Sequence, residues 1–394
     1  MNNWYTHPFF VAAMTWVGVC FLYALDWSYL INIDLSVGAI FFVISSISFL
    51  SASIIVFYVS LHDKRSYQPF PQQKMHTYLK SARRLYMVWI FGTVVEIAYS
   101  RGLPIIWTLT GDERTYFDFG IPSMHGFLNS LISALSLFAF FLYLMYGRRA
   151  HLLAALFVVV WGILVLSRQL VIMNIAQYVF LYLILHGKKL RLINVAKVLL
   201  ILIICILGFG YLGDLRSGAD NFLLLAQPTD NYPTAAPSGL LWVYMYFVTP
   251  LLNLLNTIET SCGCNSYLMA NTISSLLPSV IRGEFVTVAD SKGEIVTQAF
   301  NVSTAFADPF VDAGYFGVFV YTFIVAAVCC WYWFRKSWFH QIGYSILLQC
   351  LFFTVFYDLF ISLPIITQFF WLWLLSYSSM CRPKNSFLAG RSTR

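Results

Sequence analysis

Apolar runs of roughly 17 to 25 residues recur along the whole chain, each long enough to cross a hydrocarbon core about 30 Å thick as a helix. In hydrocarbon the backbone must satisfy its own N–H and C=O groups, and continuous rather than alternating apolar runs exclude a β-barrel. Only 10% of the 394 residues are charged, against about 25% in ordinary soluble domains. The expectation is an all-α polytopic membrane protein, read as a single integral membrane domain over 1–394 with no visible repeat or linker. Spans are expected at about 8–25, 35–61, 85–100, 124–146, 150–167, 169–186, 194–212, 313–334, 342–361 and 365–381. The start, "MNNWYTHPFF", lacks the basic stretch of a cleavable signal, so the first helix is expected to remain as an anchor.

A formal charge of +7 in a soluble protein would suggest nucleic acid. Here the basic residues concentrate in short loops between spans, so they report orientation and nucleic acid is set aside as a partner. "HDKRSYQPFPQQKMHTYLKSARR", "GRR", "HGKKLR", "FRKSW" and the basic tail 382–394 alternate correctly with the spans and are assigned to the cytoplasmic side. Of the 24 Lys and Arg, all but Arg101, Arg114, Arg168, Arg216, Arg282 and Lys292 then lie inside, whereas Asp63 is the only inner member of the 17 Asp and Glu. The outer face receives the loop 101–123 and a large region over 213–312. Within that region 240–258 and 264–281, interrupted by Pro250 and Pro278, are either two spans or re-entrant segments, the partly re-entrant version being favoured, for ten or twelve spans in total.

Five of the six outer basic residues are arginine, the side chain whose planar fork binds phosphate or carboxylate at two points. Arg168, in "LVLSRQLVI", lies in a very short connection and must sit at the outer membrane surface. With Arg114 in "GDERTYFDFG" and Arg216 in "LGDLRSGAD" it suggests one anionic pocket. The simpler readings are a snorkelling anchor for Arg168 and local pairing with Asp112, Glu113 or Asp214 for the other two. His125 is the one histidine of seven expected to face outward. Following Pro122, with Ser123 as an N-cap, it would occupy the first turns of a helix and can deprotonate a hydroxyl, although a lone interfacial histidine is more often structural. Asp118 is an equal candidate for base. Glu96 and Asp358 lie within apolar runs, where a carboxylate is a functional candidate, and Glu96 is expected to pair with Arg101 in the plainer reading. Asp312, with Gly314 and Gly317, reads most simply as a closely packed helix start.

No HExxH, CxxC, histidine cluster, DxD pair, Walker A or GxGxxG sequence occurs, so neither a metal nor another cofactor is expected. The eight cysteines form no framework, and a Cys262–Cys264 bridge in "SCGCNS" would close a tight ring, which makes free thiols the preferred reading.

The ordered set "RTYFDFGIPSMHGFLNSL", "SRQ" at a span end, "GYLGDLRSG", "YFVTPLLN" and "DAGYFG", from about residue 80 to 330, resembles the Wzy-type oligosaccharide repeat unit polymerases of bacterial O-antigen and capsule assembly. That resemblance implies a GT-C-like helical bundle in the bacterial inner membrane, with a site facing the periplasm. Undecaprenyl-diphosphate-linked oligosaccharide would be its substrate, membrane lipid its surroundings and a chain-length regulator a candidate protein partner. It implies that Arg114, Arg168 and Arg216, with Arg282 as a weaker candidate, hold the leaving diphosphate. Asp118 and His125, then Asp312, rank as candidate bases, and Tyr116 as a platform for a sugar ring or, more simply, part of an interfacial belt. An O-antigen ligase using the same donor, or a flippase for the same lipid-linked glycan, are the rival expectations.

Overall fold

The computed structural model describes residues 4–62, 70–187, 219–233, 236–261, 269–278, 295–335 and 337–377. Among these residues the helices are α1 (Pro8–Tyr23), α2 (Ala39–His62), α3 (Met75–Ser100), α4 (Pro104–Thr110), α5 (Met124–Tyr146), α6 (Arg149–Leu164), α7 (Arg168–His186) and α8 (Ala219–Ala226). They continue with α9 (Ser238–Thr260), α10 (Ala270–Ser274), α11 (Ala307–Phe334), α12 (Trp338–Phe352) and α13 (Leu363–Tyr377). The described residues contain no strand, only an isolated bridge between Ser28 and Pro228. The span expected over 194–212, the tail 382–394, and Arg216, Arg282, Cys262 and Cys264 lie outside the described residues.

Five helical segments among the described residues are long and apolar enough to cross a membrane: Leu35–Leu61, Met124–Tyr146, Arg168–His186, Ser238–Thr260 and Ala307–Phe334. Helices α1, α6 and α13 are shorter but equally apolar. Along α2 the exposed positions Ile40, Val43, Ile47, Leu50 and Ile54 form a stripe at helical spacing. In water such a stripe is an aggregation liability, and against lipid it is the solvated face. The chain is an all-α membrane protein. Contacts divide it into two compact units whose segments interleave in sequence.

The first unit comprises 1–65, 179–335 and 344–363. Its core joins α1, α9 and the loop before α2 through Val19, Tyr23, Leu241, Tyr244, Met245, Val248 and Leu251. Helix α2 lies along α11, where Ser48 donates to the Phe319 carbonyl at 2.7 Å. One correction to the sequence reading arises here. Helix α9 runs unbroken through Pro250, its second half fixed by Asn253, whose amide donates to the Phe300 and Val302 carbonyls and accepts from the Val296 N–H. The described part of 264–281 is one short helix, α10, with Pro278 beyond it. The break falls elsewhere: α11 starts at Ala307 and is interrupted at Ala313 and Gly314. "DAGYFG" is therefore the junction between a short helix from Ala307 and the long helix that follows Gly314, so the closely packed helix start expected there is present, preceded by one further short helix.

Gly314 has φ 58° and ψ −143°, a conformation that essentially only glycine adopts. Asp312, fully buried beside the break, takes four hydrogen bonds, from the N–H and side-chain amide of Asn271 and from the N–H and hydroxyl of Thr272. It thereby caps the start of α10 from a distant part of the chain, the task an N-cap side chain performs locally. After the kink, a Cβ at Gly317 would overlap the Pro309 carbonyl oxygen. Gly317→Ala is expected to destabilise this unit by about 2–3 kcal/mol, because the obstruction is backbone and cannot rotate away. A thermal unfolding shift in detergent checks it, and a transition within a degree of the parent would contradict it.

The second unit comprises 66–178, 336–343 and 364–394 as far as they are described. It is a bundle of α3, α5, α6, the first half of α7 and α13. Helices α3 and α5 approach closely, with the Leu128 side chain against Gly92, where any Cβ would collide. Polar groups tie the bundle within the hydrocarbon: Asn174 donates to Ser133 at 3.0 Å, the Ser136 and Tyr178 hydroxyls bond each other, and the Gln177 and Gln368 amides pair reciprocally at 3.2 and 2.9 Å.

Candidate functional site

The chemistry-bearing residues of the second unit gather where α3 ends and α5 begins. Helix α3 closes with Arg101 in the left-handed conformation (φ 54°), the Arg101 and Gly102 N–H groups bonding the Ala98 and Ile97 carbonyls. This is the paired closure of a Schellman turn. Pro104 at the first position of α4 starts the next short helix, which buries Trp107. The chain then turns back through "GDERTYFDFGIP" and is pinned to the last turn of α3 by Ser100, whose hydroxyl accepts the Gly120 N–H at 2.8 Å and whose carbonyl accepts Arg114 Nη1 at 2.9 Å.

Arg114 is paired locally, as one of the two sequence readings expected. Its Nε and Nη2 donate to the Asp112 carboxylate, the Nη2 contact being 2.5 Å, and its guanidinium stacks over the Trp107 ring at 4.3 Å. The second proton on each terminal nitrogen is left for another acceptor. Arg114 beside Asp112 holds that carboxyl down at about 2. A depressed carboxyl favours the folded loop above the ordinary aspartate range, and the benefit disappears as pH falls toward that value. Asp118 accepts from the Thr115 N–H at 2.7 Å and hydroxyl at 3.0 Å, closing the turn Tyr116–Asp118. The same bonds lower the Asp118 carboxyl, which makes it a poor proton acceptor near neutrality. Tyr116 and the adjacent Phe117 are exposed and lie 4.0 Å apart, centroid to centroid, on the outer side of this turn.

His125 stands in the first turn of α5. Ser123 occupies the N-cap position as expected, but with φ 67° and no capping hydrogen bond from its side chain. The imidazole is held from both ends. Nδ1 lies 3.1 Å from Glu96 Oε2, and Nε2 lies 2.8 Å from the Asn129 amide nitrogen. The Asn129 oxygen in turn accepts the Trp161 indole N–H at 3.0 Å. Glu96 is fully buried, and its other oxygen accepts the Ile121 N–H at 3.4 Å. The expected Glu96–Arg101 pairing is thus replaced by Glu96–His125, because Arg101 lies past the end of α3 in the exposed turn. Gly120, at φ 93°, lets the loop pass so close to the imidazole that a Cβ there would lie 2.9 Å from the His125 side chain, and Phe119 meets the ring edge to face.

Arg168 belongs to the same end. The Asn174–Ser133 and Tyr178–Ser136 bonds show α7 running parallel to α5, so counting back equally from Asn174 and Ser133 sets Arg168 level with Phe127. It is exposed, in the first turn of α7, after a connection in which Leu166 adopts φ 54°. A cation at a helix N-terminus opposes the macrodipole, an arrangement an anion would relieve. Helix α13 also begins here, with Pro364 against Gly126 and Thr367 on Ser130. One end of the second unit therefore collects Arg114, Tyr116, Asp118, His125 and Arg168, together with Glu96, which the sequence offers as a carboxylate candidate within an apolar run, and Asn129 and Trp161, which it does not single out. The His125–Asn129 spacing of one helical turn was a signal for part of this network. Asp312 belongs to the first unit, and Arg216 and Arg282 lie outside the described residues. Comparison with protein family models, with curated proteins and with solved structures finds no match for the chain.

Proposed function

We propose that this protein is a membrane glycosyltransferase that joins polyprenyl-diphosphate-linked oligosaccharide units at the outer face of the bacterial inner membrane, as an O-antigen or capsular polysaccharide polymerase does. The observation that carries the proposal is the convergence, at one end of one helical bundle, of two arginines with a histidine backed by a buried carboxylate. Forked cations suit a diphosphate, and a histidine suits a hydroxyl that must lose its proton. In the reaction the acceptor hydroxyl oxygen bonds to the anomeric carbon of the donor glycan, and its proton passes to His125. The bond between that carbon and the diphosphate oxygen breaks, the electron pair leaving with the diphosphate. Arg168 and the remaining N–H groups of Arg114 offset this developing charge, which is where preorganised cations lower a barrier.

Asp118 ranks below His125 as base because its bonds from Thr115 hold its carboxyl below the ordinary aspartate range. The exposed Tyr116–Phe117 pair offers an apolar ring face to a sugar or to the membrane interface. Arg168→Lys is expected to lower transfer about tenfold to a hundredfold while membrane insertion is unchanged, since a point charge cannot reproduce a two-pronged contact. Transfer at the parent rate would remove Arg168 from the site. The reading as a whole is tested with the purified protein and lipid-linked repeat units alone. Ladders of longer lipid-linked glycan support a polymerase. Product only when a lipid A-core acceptor is added indicates a ligase, and movement of lipid-linked glycan across the bilayer without any new glycosidic bond overturns transfer altogether.

A further inference from the structure

We infer that Glu96 is the positioning residue of this site, acting through His125, and that Asn129 and Trp161 fix the imidazole in the one neutral tautomer whose Nε2 can receive a proton. The catalytic part rests on the glycosyl-transfer reading above. The tautomer is a property of the network itself.

The direction of every hydrogen in the network follows from its far end. An indole N–H can only donate, so the atom of Asn129 facing Trp161 at 3.0 Å must be the carbonyl oxygen. The amide nitrogen of Asn129 is then the atom facing His125 Nε2 at 2.8 Å, and it donates. Nε2 must therefore present its lone pair, which puts the ring proton of the neutral imidazole on Nδ1, directed at Glu96 Oε2 at 3.1 Å. The remaining Glu96 oxygen is occupied by the Ile121 N–H. Turning Asn129 over would set an N–H against the indole N–H. The opposite tautomer would set an N–H against the amide and a lone pair against the carboxylate. One arrangement satisfies all the groups, so a buried donor that never touches substrate decides which ring nitrogen is basic.

Asn129 also covers the lone pair. An acceptor hydroxyl must displace the amide and donate to Nε2 in its place. When Nε2 takes the proton, the Glu96 carboxylate stabilises the imidazolium across Nδ1–H, and the proton then passes to solvent or to the departing diphosphate. The other titratable groups at this end are Tyr99 on α3, and Arg101, Asp112, Glu113, Arg114, Tyr116 and Asp118 of the loop. Helix α7 brings Arg168, while α4, the near end of α6 and the near end of α13 bring none.

Two measurements on the full chain in lipid nanodiscs test the inference. Nitrogen NMR of ¹⁵N-histidine protein, with the His125 signal identified by its loss in His125→Gln, is expected to show a protonated Nδ1 and a lone-pair Nε2. The reverse assignment overturns the tautomer, whatever reaction the protein performs. In the transfer assay Glu96→Gln is expected to lower the plateau rate about tenfold and to move the acid limb of the rate profile about one unit to lower pH, with Glu96→Asp recovering part of both. An active Glu96→Gln protein with an unmoved acid limb reduces Glu96 to a structural residue and defeats the inference while leaving the transferase reading intact. Absence of transfer by the parent protein defeats that reading, and with it the catalytic part of this one.

Discussion

His125→Gln is expected to cut glycosyl transfer about a thousandfold, the middle of the range for loss of a general base, in a protein that still inserts and folds. Glutamine is chosen because its amide can still donate to Glu96, so the buried carboxylate is not left without the partner it has at 3.1 Å. Transfer is measured as the initial rate of lipid-linked product at saturating donor. A variant within threefold of the parent would show that the imidazole only braces the loop, the bland role that a histidine packed between Phe119 and Gly120 also fits. Asp118 would then be the carboxylate to replace next, despite its bonds to Thr115.

Asp312→Ala is expected to destabilise the first unit by about 4 kcal/mol. Both carboxylate oxygens are buried and bonded to four donors, two of them backbone N–H groups of α10 that have no other acceptor once the side chain is gone. Loss of that much from a typical margin of about 5–15 kcal/mol is read as a lower unfolding temperature and a reduced yield of monodisperse protein. Asp312→Asn, which retains one acceptor oxygen, is expected to lose less. Full stability of the alanine protein combined with loss of transfer would reverse this assignment and return Asp312 to the list of candidate bases.

The sequence shows where the helices are far better than how they end. Spans expected at 124–146, 150–167 and 169–186 match α5, α6 and α7 within a few residues, because long apolar runs leave a chain in lipid no alternative to helix. Terminal geometry has no such signal. Arg101 and Leu166 close helices in a left-handed conformation usually given to glycine, and nothing in "SRG" or "VLSR" distinguishes them from ordinary helix residues. Pro250 marks a break that does not occur, since a proline costs one hydrogen bond and the packing of α9 tolerates it. The break at Gly314 was legible only as a pair of glycines beside an aspartate.

The site divides the same way. Its residue types, arginine and histidine beside the ends of apolar runs, are legible in the sequence. Its connections are not, because Glu96 and His125 are far apart in sequence and meet only through the crossing of α3 and α5 at Gly92 and Leu128. Along the chain the plainer partner for that carboxylate is Arg101, and only the fold brings it to His125 instead. Trp161, on a third helix, carried no mark at all among 12 tryptophans.

The most direct measurement is photo-crosslinking with a short polyprenyl diphosphate oligosaccharide that carries the reactive group beside the diphosphate, followed by peptide mapping. Adducts are expected in the segments 112–126 and 166–171, and they should disappear when unlabelled lipid-linked donor is added. Competable adducts confined to other segments would place the diphosphate elsewhere and contradict the assignment of Arg114, His125 and Arg168 to one transfer site.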